Sequence, residues 1–462
     1  MNVYGINVNI KNTPELDKGF IPLGKFSQEF EKSAAGKVAL AISVERDAGQ
    51  IAVRKTYIHG TPEMQKADQV YVERTVKMML WCHGGYKVGI WGCADMQKFI
   101  TDTYSANGAR AFDFDFMARV YENDFVVTGG DYSAAPEAVQ KSASVGRHLD
   151  GCRIGFDAGG SDRKVSAVID GESVYSEEVV WHPKITEDSS YHYNHIVEAF
   201  KTAASKMPRV DAIGISSAGI YVQNRAMVAS LFLKVPRDEF DKKVKDIYIN
   251  AVKEIGDVPM QVANDGDVTA LAGAMNLEDN NVLGIAMGTS EAVGFVDGDG
   301  NITGWLNELA FAPVDLQDDA MQDEWSGDFG CGVKYFSQDS VIKLAPRCGI
   351  ELDPTLSPAE KLKVVQGEMD KASDDARSIY RTIGIYLGHT LAYYADFYDV
   401  KHLLLLGRVM SGEGGDLVIE NARKVLAEEY PNLAKSMELH LPDEKFRRVG
   451  QSVAAASLPK IG

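Results

Sequence analysis

Two segments of the sequence repeat one pattern, and that pattern leaves few folds open. Arg153–Tyr175 reads RIGFDAGGSDRKVSAVIDGESVY, and Asn281–Trp305 reads NVLGIAMGTSEAVGFVDGDGNITGW. Each is an apolar run, a turn built from Gly with Ser or Thr, and a second apolar run ending in an Asp-Gly turn. Apolar runs bounded by Gly, Ser and Asp read as strands joined in hairpins. A chain that duplicates such a unit builds two lobes with a cleft between them, and such clefts hold ligands.

The turns carry chemistry as well as geometry. In dinucleotide and mononucleotide loops a strand runs into a helix whose N-terminus binds phosphate. Here the turn leads into another strand, so a phosphate would lie against hairpin N–H groups. Glycine lets the backbone approach a ligand and reach uncommon dihedrals. Asp157 ends the first strand, where it could hold a hydrated Mg²⁺, and Gly159, Gly160 and Ser161 follow it. The plain alternative is a tight hairpin with an Asp in its turn, and one motif does not decide between them. Gly288, Thr289 and Ser290 stand at the same place in the second unit, so two hairpins could clamp a polyphosphate from both sides. Asn264-Asp265 marks the end of a strand and the start of an Ala-rich helix. The pair reads either as a helix N-cap or as a general base taking a proton from an attacking hydroxyl.

Composition narrows the partners. Among 462 residues, Lys plus Arg is 48 and Asp plus Glu is 66, a net charge of −18. Such a surface repels phosphate backbones, and no basic cluster stands out, so no nucleic-acid partner is expected. No apolar run reaches the ~20 residues of a membrane helix, and the N-terminus lacks a secretory pattern. The five cysteines are Cys82, Cys93, Cys152, Cys331 and Cys348. An odd count without paired spacing points to free thiols in a reducing cytoplasm.

At roughly 100–200 residues per domain, the chain holds two to four domains. Residues 1–127 mix strand and helix patterns. Lys37–Glu45 and Gln50–Ile58 flank RDAG as a hairpin, and Tyr86–Gly92 is a further strand. Residues 128–151 are rich in small and polar types and read as a linker. Asp211–Val222 is a strand running into a loop, and His402–Gly407 is a buried strand before a Gly-rich turn. Ala359–Phe397 has helical apolar spacing, with Tyr393 and Tyr394 packing in the core.

Taken in order, these segments resemble the ROK family (repressors, open reading frames and sugar kinases) of the actin-like, sugar-kinase and Hsp70 superfamily. GFDAGGSDRKVSAVIDGE resembles the family's first phosphate loop, and GISSAGI its sugar-side loop. VANDGDVTALAGA resembles the catalytic segment, and GIAMGTSEAVGFVDGDGNITGWLNELAF the second phosphate loop with the Glu-x-Gly-His segment. HLLLLGRVMSG resembles the adenosine-contacting strand and loop. The likeness runs from about Arg153 to Ala456. It implies an α/β fold, the actin-like/ribonuclease H-like two-lobed sugar kinase fold, with an additional N-terminal α/β domain. The implied division is 1–127 for that domain, 128–151 linker, 152–275 lobe 1, 276–440 lobe 2, and 441–462 a C-terminal helix packing back on lobe 1.

The resemblance further implies an ATP- and Mg²⁺-dependent kinase acting on a sugar hydroxyl. Asp265 would be the base. Asn264, Glu308 and Gly219 would lie on the sugar side. Gly159, Gly160, Ser161, Gly288 and Thr289 would hold phosphates, Gly407 would line the adenosine pocket, and Asp157 would sit by Mg²⁺, through water. A homodimer is compatible with it. The departures favour an alternative, a non-catalytic sugar or nucleotide sensor acting through the N-terminal domain. Phe311 replaces the family's zinc-binding His, Cys331 stands alone where a cysteine cluster belongs, Val333 replaces a sugar-binding Glu, and Ala218-Gly219 replaces Pro-Gly. Tetrahedral zinc needs four ligands, so no structural zinc is expected. A third option is an ATPase with no sugar acceptor.

Other motifs read as structure. SAAGKVAL lacks the spacing of a P-loop. Asp297–Glu308 imitates a calcium loop but has Ile302 where Gly is required. His182, His192 and His195 read as solvated or capping residues, with zinc as the minor alternative. Cys82, His83 and Cys93 read as groups flanking a strand.

Overall fold

The computed structural model describes residues 1–140, 145–442 and 444–461, with the backbone alone over 444–449. Two compact units emerge. Unit 1 holds Met1–Lys141, Ile285–Val293 and Trp305–Leu441, and unit 2 holds Ser142–Gly284, Gly294–Gly304 and Pro442–Gly462. This grouping does not follow the linear division expected from the sequence, because residues 1–127 share a unit with the segment after Trp305.

In the first part of unit 1, the expected hairpin is present: β1 (Val38–Glu45) pairs antiparallel with β2 (Ile51–Ile58), from Val38↔Ile58 to Glu45↔Ile51. β3 (Lys87–Trp91) pairs antiparallel with β1, and β4 (Val126–Gly130) pairs parallel with β3. Val139 bridges back to Ile51. The stretch read as a linker therefore begins inside a sheet. Helices α1 (Leu23–Ala34), α2 (Gln65–His83) and α3 (Ala111–Tyr121) accompany this sheet. Nearly all of α2 is buried, including its charged residues Glu73, Arg74 and Lys77. Buried charges persist only when paired. Asp328 supplies the pairing: Arg74 Nη1 and Lys77 Nζ lie 2.9 Å from its carboxylate, and Arg110 Nη1 lies 2.6 Å from it.

Unit 2 is built on one five-stranded sheet. β5 (Cys152–Ala158), β6 (Asp162–Ile169) and β7 (Glu172–Val180) form an antiparallel meander. β8 (Ala212–Ser217) pairs parallel with β5, and β9 (Met260–Asn264) parallel with β8. β5 and β8 are buried at every position, as central strands covered on both faces must be. α4 (Ser189–Ala204), capped by Asp188, packs against β5, with Phe200 edge-on to Phe156 at 5.4 Å between ring centres. α5 (Asp265–Leu277) continues directly from β9. The helix Glu444–Ala456 also packs against the sheet, where Gly155 and Gly214 face each other in register. A Cβ on Gly155 would stand 2.0 Å from the Ser452 carbonyl oxygen, and one on Gly214 would stand 1.7 Å from that of Ala455. Only glycine admits so close a helix. Arg153, fully buried, donates to the carbonyls of Asp150 and Pro459 at 2.6 and 2.7 Å.

The remaining sheet has the order β11-β10-β12-β13, from β10 (Val282–Met287), β11 (Glu291–Val296), β12 (His402–Leu406) and β13 (Glu438–His440). In unit 1, α6 (Asp374–Tyr394) meets α7 (Glu413–Glu429) through Gly384 and Gly388, where a Cβ would meet Val418 and Val425 at 2.6 and 2.5 Å. The first residues of the chain are bound into this layer. Glu429 accepts the N–H groups of Lys11 and Asn12, and Leu23 N donates to the Val314 carbonyl. Among the described residues, no helix is long and apolar enough to cross a membrane.

Candidate active site

In unit 2, three parallel strands end side by side. The register matches Ala158 to Ser217 and Ser217 to Asn264. Asp157, Ala218-Gly219 and Asn264-Asp265 therefore gather at one sheet edge, the carboxyl end, where open α/β sheets bind ligands. Asn264 Oδ1 accepts the Gly266 N–H at 2.7 Å, and its Nδ2 donates to the Gly219 carbonyl at 2.8 Å. It thus caps α5 and ties the Ala218-Gly219 loop to it. Gly219 has φ 139 and would meet Val228 O at 2.5 Å with a Cβ, so glycine is required there. The Asp265 carboxylate accepts the Gly266 N–H at 3.1 Å, and among the described residues no side chain donates to it.

The phosphate-loop candidate follows β5. Trp181 Nε1 donates to the Gly159 carbonyl at 2.7 Å, and Trp181 N donates to that of Ser161. Gly160 and Ser161 are exposed. Gly159, Gly160 and Gly288 all lie outside the positive-φ region. This corrects the expectation of uncommon dihedrals, because these glycines supply space. At Gly160 the space is taken by Lys184, whose Nζ would stand 2.8 Å from an added Cβ.

Burial pushes the Asp157 carboxyl up to about 6. The Lys164 ammonium and the Ser216 hydroxyl, which donates to Asp157 at 3.0 Å, oppose that rise, while the charges of Asp265 and Asp162 add to it. Burial also raises Asp265, against the Gly266 N–H and the Lys184 ammonium. Asp157 and its acidic neighbours are hard oxygen donors of the type a divalent cation takes.

In unit 1, Thr289 and Ser290 are exposed at the tip between β10 and β11. Gly288 N donates to the Ser290 carbonyl, its own carbonyl accepts from Gln338 N, and an added Cβ would stand 3.7 Å from the Ser290 oxygen, an ordinary contact. Gly407, at φ 95, ends β12, where a Cβ would stand 2.3 Å from the Met287 carbonyl oxygen. Glu308 is half-buried, and its N–H donates to the Trp81 carbonyl at the end of α2. Phe311 packs on the Trp81 ring at 4.5 Å, and Val333 is buried with Ala310 and Cys331.

Some residues at these loops escape sequence reasoning. Lys184 stands in a short turn after β7, and a lone Lys there carries no signal. Glu291 had one, being a charge at the start of an apolar strand. It is buried, and neither carboxylate oxygen has a hydrogen-bond partner among the described residues. Burial, then the Glu308 charge, hold it well above the usual carboxylate range. Gly332 leaves room for it, since a Cβ would stand 2.4 Å from Glu291 Oε2.

The other motifs resolve as structure. Both His192 ring nitrogens face carbonyls, of Asp188 and Pro183, and Arg163 Nε donates to His195 Nδ1. Asp297 accepts the N–H groups of Asp299 and Asn301 and closes a hairpin turn. Cys82 and His83 are buried at the end of α2, and burial pushes the His83 imidazole down to about 3.

No family model and no curated protein matches the sequence. Solved structures do. A ROK hexokinase from Thermus thermophilus is similar with a TM-score of 0.51 and 17% identity, over 66% of this chain and 97% of that one. A ROK family transcriptional regulator, described as a homolog of the E. coli MLC protein, is similar with a TM-score of 0.50 and 16% identity, over 67% of this chain and 78% of that one. The chain shares the α/β, actin-like/ribonuclease H-like fold of the ROK family.

Proposed function

We propose that this protein is an ATP-dependent sugar kinase of the ROK type. The observation that carries the proposal is the alignment of Asp157, Gly219 and Asn264-Asp265 at the carboxyl ends of three adjacent parallel strands. A ROK hexokinase among the proteins of like fold supports the substrate class.

Phosphoryl transfer asks mainly for positioning and charge stabilisation. Asp265 would accept the proton of the attacking hydroxyl, its orientation fixed by the Gly266 N–H. Asn264, held between Gly219 and α5, would bind a neighbouring sugar hydroxyl, and Glu308 would contact the sugar ring. Within unit 2, Gly159, Gly160 and Ser161 would offer N–H and hydroxyl donors to phosphate, and Lys184 would add a positive charge; within unit 1, Gly288 and Thr289 would offer donors of the same kind. Gly407 would line the adenosine pocket. Asp157 would hold Mg²⁺, which, when bound, neutralises charge on the nucleotide phosphates.

The test is coupled ADP release with Mg-ATP across hexoses, N-acetylhexosamines and polyols. Sugar-dependent turnover is expected, falling roughly 10²–10⁴-fold in Asp265→Asn with the unfolding midpoint and nucleotide binding retained. Turnover that survives this substitution removes Asp265 from its role. Val333, buried among apolar neighbours where a sugar-binding Glu would stand, favours the sensor reading. That reading predicts sugar-induced thermal stabilisation with no ADP release for any acceptor.

A further inference from the structure

β12 and β13 bring three metal-ligating side chains together, apart from the phosphate loops. His402 pairs in register with Glu438, and Leu404 with His440. Glu438 and His440 are two apart on β13 and so share a face of the strand. His402 Nδ1 lies 3.1 Å from His440 Nε2, and the Glu438 carboxylate oxygen Oε2 lies 3.8 Å from each of these nitrogens.

These separations match a coordination site. Ligand atoms about 2.0–2.1 Å from a tetrahedral ion stand about 3.3–3.4 Å from one another. The observed triangle brackets that value, and small side-chain rotations would equalise its edges. No other group of three such residues converges among the described residues. His402 is buried, His440 half-buried and Glu438 exposed, so two ligands are anchored and the third can close over an ion. An open groove of about 510 Å³ lined by Arg423, Ala434, Met437, Glu438 and His440 gives access and room for a water as fourth ligand. The nearby cation, Arg423, is held by the Leu439 carbonyl at 2.8 Å.

We propose that His402, Glu438 and His440 bind one divalent transition-metal ion, of which Zn²⁺ best suits two imidazoles and a carboxylate. The ion clips β13 to β12, the strand that ends at Gly407. Without it, His402 Nδ1 and His440 Nε2 lie within hydrogen-bond distance of each other.

The test uses the full chain after treatment with a chelator, titrated with Zn²⁺ by calorimetry and with Co²⁺ by visible absorption. One ion per chain is expected, with cobalt bands typical of a low-coordinate nitrogen and oxygen site. Zn²⁺ at about 100 times its Kd should raise the melting temperature by a few degrees. His440→Ala and Glu438→Gln, at accessible positions, should each weaken binding roughly 10–100-fold or more and shrink the melting shift at the same Zn²⁺ concentration. His195→Ala should change neither. Absence of saturable binding, or binding that persists unchanged in His440→Ala, overturns the proposal. Circular dichroism of the chelated variants should match the chelated parent, so that lost binding is not lost folding.

Discussion

Asp157 and Glu291 are both buried acids, and their surroundings give them different consequences. The Asp157 carboxyl is raised to about 6, above the ~3.9 of an unfolded chain. The fold therefore favours its neutral form. That stability is fully present below the unfolded value and is lost as pH rises from about 4 to about 6. Above that range the carboxylate is charged and suited to a cation. Sugar-dependent ADP release should accordingly fall on the acid side with an apparent pKa near 6, and kcat/KM that stays level down to about pH 5 would remove Asp157 from the metal role. Burial holds the Glu291 carboxyl well above the usual carboxylate range, and among the described residues neither oxygen has a hydrogen-bond partner. Replacing a buried, unpartnered acid with an apolar residue of similar size relieves its desolvation. Glu291→Leu should raise stability in chemical denaturation at pH 7 by about 1–3 kcal/mol; a lower midpoint would show that the carboxyl serves the fold or a ligand.

The elements differ in how much of them the sequence announces. Gly214 on β8 meets the helix Glu444–Ala456 almost in backbone contact, and Gly214→Ala would place a methyl group 1.7 Å from the Ala455 oxygen. The expected cost is about 1–3 kcal/mol or more, read as a lower denaturation midpoint. On α2, the carboxylate of Asp328 faces Arg74, Lys77 and Arg110. Asp328→Ala leaves Arg74 and Arg110 with Glu73 alone and Lys77 with Asp113 alone, and should cost about 1.5–3 kcal/mol. Unchanged unfolding would mean that water reaches them. The hairpin of β1 and β2 was legible because alternation and an RDAG turn are local signals. The ends of β5 and β9 were legible because Gly-Gly and Asn-Asp punctuate apolar runs, and Asn264 caps α5 as one of the two readings of that pair expected. The Gly155–Gly214 contact with the helix Glu444–Ala456, the Lys184 amine over Gly160 and the Trp81 carbonyl holding the Glu308 N–H were not legible. Each joins segments far apart in the chain, and no period or spacing records such a meeting. The linker reading missed the strand at its start for a related reason, since small residues at 128–130 also make a strand once β3 offers its edge.

Across the whole molecule, neither unit is a continuous stretch of chain. Unit 1 needs residues 1–141 as well as 305–441, so a fragment starting at residue 142 should lose α2, the Asp328 partners and the Trp81 carbonyl that holds Glu308. Such a fragment should show partial secondary structure and no cooperative unfolding transition in calorimetry; a sharp transition like that of the full chain would show the N-terminal segment to be dispensable. Unit 2 has the complementary dependence. Its sheet is assembled from residues 152–264, yet the helix that lies against Gly155 and Gly214, and the Pro459 carbonyl that takes the buried Arg153, belong to the far end of the sequence. During synthesis the strands bearing Asp157 and Asn264 leave the ribosome long before their covering helix. Through that interval one face of the sheet is bare, and the edge that gathers Asp157, Gly219 and Asp265 has no rigid backing. A polypeptide released early by a nonsense codon or a stalled ribosome would carry every proposed catalytic residue and still be silent, an exposed apolar sheet for chaperones and proteases to find. The fold thereby makes competence conditional on translation having passed the helix Glu444–Ala456.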